Sequence, residues 1–261
     1  RPCAEFIGLP REQIIGAPIA KVLGEAAFEA IRPYIETVLR GQPVEYEMEV
    51  PYERAGPRFM HVNYAPEKDA RGAVLGWVAA ITDNTARKRA EEQLHVRDAI
   101  SRVLARAATL REAGASIIQT LCASSNWEAG AIWIVGQAAK EMSCVEFWHL
   151  PAVPVPHFEA VTRESRFPQG VGLPGRVWQS GEPLWVTDVA RETGFPRAPL
   201  ALRDGLRAGF CFPIKLSDEV LGAFECFSRE MRAADADLIQ LLASIGQQLG
   251  QFVERTRAIE A

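Results

Sequence analysis

Three sets of residues in this 261-residue chain have types and spacings that could do chemistry. Gly170-Val-Gly-Leu-Pro-Gly175 has the spacing with which glycine-rich turns hold a dinucleotide pyrophosphate at a helix N-terminus. It follows Arg166-Phe-Pro-Gln169 rather than a buried strand, carries Pro174, and leaves the next helix room only to about Ser180 before Gly181 and Pro183. A nucleotide-binding crossover needs a longer helix between two strands, so these glycines read as a turn with Pro174 near a helix start. The histidines form the second set. His61, His95, His149 and His157 are followed by Val62, Val96, Leu150 and Phe158, so none has the acidic neighbour of a phosphoacceptor histidine. His149 ends an apparent strand, Ser143–His149, with no second ligand at matching spacing. It and His61 read as bonded to backbone or water, and His95 and His157 as surface residues. No metal site and no catalytic residue follow.

The third set is Cys3, Cys122, Cys144, Cys211 and Cys226, an odd number without a C-x-x-C pair. Reduced, buried thiols are the default reading. A hairpin turning at Asp218-Glu219 would set Cys211 opposite Cys226, which makes these two a candidate redox pair, with two small core residues as the favoured alternative.

The elements that must position these groups are legible from periodicity. Val44–Val50 alternates, with Val44, Tyr46, Met48 and Val50 on one face and three glutamates on the other. Met60, Val62 and Tyr64 repeat the pattern, and Val74–Thr82 forms a third strand after a helix at 25–39. Thr85–Ala108 lacks glycine and proline and predicts one continuous connecting helix, with Val96, Ile100, Val103, Ala107 and Leu110 as its seam. Thr109-Leu-Arg-Glu112 has capping-box spacing, so a new helix starts there. A second seam, Leu238, Leu242, Ile245, Leu249, Phe252, Thr256 and Ile259, keeps heptad spacing. Beyond Leu249 a partner helix is the expectation, and with it a parallel homodimer. A net charge of −4, 48% apolar and 24% charged residues fit a soluble globular chain without nucleic acid as partner. No apolar run reaches the length of a membrane span, and a chain starting at arginine reads as a cytoplasmic fragment.

Arg166–Val189, read with Gly209–Leu216 and Glu219–Ser228, resembles a GAF domain, a small-molecule-sensing module of bacterial signalling proteins. Gly8–Gly16, Ala65–Gly72 and Ile81-Thr-Asp-Asn-Thr85 resemble the later part of a PAS domain, with Asp83 and Thr85 matching that family's exit motif and Asn84 departing from it. The resemblance implies an α+β chain of two domains, each an antiparallel sheet flanked by helices. They divide as 1–84 (PAS-like, lacking its first strand or strands), 85–108 (connecting helix), 109–256 (GAF-like) and 257–261 (start of an output linker).

It further implies a sensory input region of a cytoplasmic signalling protein, most like a histidine kinase, with an output domain outside the chain. A ligand-free dimerisation spacer and the input of a diguanylate cyclase or phosphodiesterase are the alternatives. Position on the first GAF-like strand makes Trp133 a cavity residue, and Trp148, Trp178, Phe195, Arg203 and Phe212 are placed around the same pocket. Arg203 and Arg207 are the charged candidates for an anion, against a solvated helix face. The run Phe195–Gly205 holds no cysteine, which argues against a covalent bilin, and the flavin and cyclic-nucleotide signatures are missing. The ligand is left open.

Overall fold

A computed structural model describes residues 7–136 and 140–260, with side chains to Arg257. Cys3 and the side chain of Ile259 lie outside the described residues. The chain divides into two compact units, Arg1–Glu92 and Gln93–Ala261.

In the N-terminal unit, short helices α1 (Arg11–Ile14) and α2 (Ile19–Leu23) lead into α3 (Glu25–Leu39). An antiparallel sheet follows: β1 (Val44–Tyr52), β2 (Gly56–Lys68) and β3 (Val74–Asp83), in that spatial order. The alternation read from sequence sets the register, with Val44 opposite Tyr64, Tyr46 opposite Val62 and Met48 opposite Met60. One face is therefore apolar, and α3 covers it with Ala27, Ile31, Ile35 and Val38, spaced to share one helix stripe.

Helix α4 (Thr85–Arg106) runs unbroken across the division. It ends where α5 (Leu110–Ser125) starts with the expected cap: Thr109 Oγ1 accepts from Glu112 N at 3.3 Å, and Glu112 Oε2 accepts from Ala108 N at 2.8 Å. The C-terminal unit continues with β4 (Ala129–Val135), β5 (Glu141–His149), α6 (Pro156–Glu164), β6 (Arg166–Pro168), α7 (Gly172–Ser180) and β7 (Leu184–Val186). It closes with α8 (Ala198–Arg203), β8 (Ala208–Leu216), β9 (Glu219–Ser228) and α9 (Ala236–Glu260). The strands form one antiparallel sheet in the order β6-β5-β4-β9-β8-β7. Helices α5 and α9 cover one face, and the excursion from α6 to α8 covers the other. The chain is α+β in both units.

Two expectations are corrected. Leu238 packs against the core of this unit, and Leu242, Ile245, Leu249 and Phe252 are buried within it, so the seam as far as Phe252 is covered within its own unit rather than by a partner helix. Gly246 and Gly250 permit this, because a Cβ at either would overlap the carbonyl oxygen of Pro213 or Lys215 on β8. A glycine in a helix interior costs about 1 kcal/mol relative to alanine. Here two of them bring the helix against the strand.

The second correction is the β8–β9 register. The hairpin turns one residue earlier than expected, with Leu216 opposite Glu219, and slips at Ile214/Lys215. Phe210 therefore faces Cys226, and Cys211 faces Glu225. Residues directly opposite share a face, so Cys211 and Cys226 lie on opposite faces and cannot pair.

Candidate functional site

In the N-terminal unit the space between α1–α3 and the sheet is not filled. A cavity of about 200 Å³ lies there, walled by aliphatic residues such as Ile31, Ile35, Val50 and Val62, with Tyr46, Tyr52, Tyr64 and Trp77 as its aromatic wall. All four tyrosines of the chain belong to this unit. Tyr46 and Tyr64 point inward from adjacent strands, with their hydroxyls 2.9 Å apart, and Tyr34 stacks on Tyr46 at 3.9 Å between ring centroids. Burial pushes both phenols up from the usual value of 10.0, and the mutual hydrogen bond adds to the effect at Tyr46 while opposing it at Tyr64. Both are neutral at physiological pH. Their shared bond consumes one hydrogen and one lone pair, leaving one O–H and further lone pairs of the pair for other partners. An apolar cleft with a few fixed polar groups is the usual form of a small-ligand site. Sequence reasoning passed over this cavity, although the inward alternation of Tyr46 and Tyr64 was its signal.

In the C-terminal unit, side chains among the described residues occupy the compartment between sheet and excursion. Arg197, at the start of α8, is 1% exposed and forms a two-pronged ion pair with Glu225, which is fully buried on β9. Nη1 donates to Oε1 at 2.7 Å, Nη2 donates to Oε2 at 2.8 Å, and Nη1 also donates to Thr162 Oγ1 at 2.9 Å. The guanidinium carbon lies 5.0–5.9 Å from the ring centroids of Trp133, Phe158, Phe167, Phe195 and Phe227. That is within the range over which an aromatic face attracts a cation. Among the described residues, Arg197 Nε and Trp133 Nε1 have no hydrogen-bond partner.

The six residues placed around one pocket do not meet. Trp133, Trp178 and Phe195 are on the excursion side with Arg197, whereas Trp148 and Phe212 belong to the core under α5 and α9. Arg203 is exposed at the end of α8, and Arg207 is exposed as well. Alternation held for Phe210 and Phe212, which share the helix face, with Cys211 opposite them. The residues that sequence reasoning missed are Arg197 and Glu225. A single carboxylate inside the otherwise apolar run Ala223-Phe-Glu-Cys-Phe227 was the signal.

Cys226 instead meets Cys122 of α5, with the sulfurs 3.7 Å apart and both side chains fully buried. Burial pushes the Cys226 thiol well above its ordinary value, which removes the thiolate that redox exchange requires. His149 Nδ1 lies 2.8 Å from the Leu150 carbonyl oxygen, in keeping with a strand-end histidine bonded to backbone. His157 Nδ1 lies 2.7 Å from Asp204 Oδ1, while Asp204 Oδ2 accepts from Phe158 N at 2.8 Å, so this carboxylate ties the start of α6 to the end of α8. Gly170 and Gly172 adopt φ of +86° and +66° in a tight turn, and α7 ends at Ser180. Among the described residues no helix is long and apolar enough to cross a membrane.

Residues 107–254 match the family model of the GAF domain, and residues 3–89 match that of the PAS fold. Among solved structures, the chain is similar to the GAF domain of a phosphoenolpyruvate-protein phosphotransferase (ptsP) from Coxiella burnetii. The identity is 18% and the TM-score 0.57, over 66% of this chain and 98% of that one. It is also similar to the A. aeolicus nlh2 GAF domain in an inactive state (21%, TM-score 0.51, 64% and 98%). A third similar structure is free methionine-R-sulfoxide reductase from Neisseria meningitidis in complex with its substrate (17%, TM-score 0.51, 64% and 93%). At these identities the likeness is one of fold alone. No curated protein matches the chain.

Proposed function

Because the chain belongs to the GAF domain family over residues 107–254 and carries a PAS fold over 3–89, we propose that it is the sensory input region of a larger cytoplasmic signalling protein, with the N-terminal cavity as its ligand site. The observation that carries this reading is the contrast in room. The N-terminal unit keeps about 200 Å³ free behind a wall that offers one polar handle, the Tyr46–Tyr64 hydroxyl pair. The ligand class that suits it is small and predominantly apolar, with one hydrogen-bonding group. The C-terminal unit, whose compartment holds Arg197, serves as a relay and spacer in this reading. A ligand would shift the balance between two packings of the N-terminal core, and α4, continuous from Thr85 to Arg106, would carry that shift onward. The segment itself performs no catalysis in this scheme. A histidine kinase is the proposed parent, and a parallel dimer of the whole protein the proposed assembly.

Native mass spectrometry of the purified chain tests the site. A small adduct, carried through purification or acquired from an apolar fragment mixture, should be present in the natural chain and lost in Val62→Phe, which fills the cavity from β2. An adduct that survives Val62→Phe would move the site elsewhere. For the relay, Glu92→Pro should break α4 at a cost of about 3 kcal/mol and uncouple output in the parent protein. Unchanged regulation would remove α4 from the pathway.

A further inference from the structure

The Arg197 compartment has the composition of a host for an organic cation. Five aromatic rings surround one point, and a fully buried carboxylate stands beside it. Sheet and excursion share the host: Trp133, Phe227 and Glu225 stand on β4 and β9, whereas Phe158, Phe167 and Phe195 belong to the excursion that also carries Arg197. Arg197 arrives from the covering excursion, as the N-cap residue of a six-residue helix. A core of this size needs neither charge for stability, since buried ion pairs can often be replaced by apolar residues without loss. What the pair and the rings together provide is recognition of a planar cation: two parallel hydrogen bonds to a carboxylate and π faces around the remainder.

We propose that this compartment is a binding site for a guanidinium-class cation and that the Arg197 side chain is its resident, tethered ligand. The compartment is thereby kept occupied by the chain's own side chain, without a free ligand. Vacating the site by shortening Arg197 makes the unit dependent on a free alkylguanidinium, which enters with its planar face among the rings and its N–H groups on Glu225. No covalent step is involved.

Chemical rescue tests this on the full chain. Arg197→Ala should melt well below the natural protein, and millimolar methylguanidinium should raise its melting temperature saturably by several degrees, beyond the effect of equal sodium chloride. The natural protein, with its site filled, should show no such rise, nor should Arg197→Ala combined with Glu225→Gln, which lacks the anionic partner. A folded Arg197→Ala that ignores methylguanidinium overturns the proposal, as does an equal rise in the double variant. If Arg197→Ala is recovered only as aggregate, the comparison moves to refolding from urea. There methylguanidinium should increase the soluble yield of Arg197→Ala but not of Arg197→Met, whose side chain occupies the cage. Equal yields with methylguanidinium and sodium chloride overturn it.

Discussion

The two units solve one structural problem in opposite ways. Each lays helices over an antiparallel sheet and encloses a compartment, yet the first leaves about 200 Å³ behind neutral phenols while the second fills its space with an arginine–glutamate pair. The difference lies in what covers the sheet. Helix α3 reaches the N-terminal sheet, with Tyr34 stacked on Tyr46, but the aliphatic residues of α1–α3 leave a cavity beside that contact. The long excursion of the C-terminal unit has enough chain to send a charged side chain back to β9. Similar enclosure therefore does not mean similar receptivity.

The largest expected effect comes from splitting the ion pair. Glu225→Ala leaves a guanidinium buried without its anion and should cost about 3–5 kcal/mol. Arg197→Met combined with Glu225→Leu should recover most of that loss. Urea unfolding followed by tryptophan fluorescence reads mainly this unit, because five of the six tryptophans, Trp127, Trp133, Trp148, Trp178 and Trp185, lie within it and only Trp77 lies in the other. A Glu225→Ala variant as stable as the natural chain would mean that the two compartments are alike in solvation, and the contrast would fail.

Added volume sharpens the comparison. Ala131→Leu, against the filled compartment, should cost about 1–3 kcal/mol through overpacking, whereas Val62→Phe in the N-terminal cavity should cost less. Equal penalties would show that the cavity collapses in solution.

Alkaline titration separates the units more gently. Burial pushes the thiols of Cys144, Cys211 and Cys226 above their ordinary value of 9.0, Cys144 to about 12. The folded chain keeps protons that the unfolded chain releases, so their stabilising contribution is complete below pH 9 and declines as pH rises above it. The decline is at most about 1.4 kcal/mol per pH unit for each thiol. The raised groups of the N-terminal unit are Tyr46 and Tyr64, whose ordinary value is 10.0, so their contribution should begin to fall about one unit later. Hydrogen exchange of the two units at increasing pH should show the C-terminal one loosening first. The reverse order would contradict the assigned burial.

The smallest effect is expected at the phenol pair. Tyr64→Phe should cost about 1 kcal/mol by removing one hydrogen bond, and it should weaken retention of any ligand in the N-terminal cavity. Unaltered retention would leave the cavity as a site of shape alone.

The sequence by itself determined the local frame. Alternation in Val44–Val50 and Phe59–Tyr64, the box at Thr109–Glu112 and the stop at Gly181 each depend on neighbours within a few residues, and each reappears in the structure. Tertiary structure decided everything that needed two distant segments in known register. An early turn and a slip at Ile214/Lys215 moved Cys226 to the other face from Cys211 and beside Cys122, 104 residues away. Heptad spacing in α9 identified an apolar stripe but not what covers it, and Gly246 and Gly250 brought it onto β8. Arg197 and Glu225, 28 residues apart, become partners only in the fold. Periodicity fixes which face a side chain takes. Only the packing of one element on another fixes what that side chain meets, because burying a charge is tolerable solely where its partner is delivered to the same point.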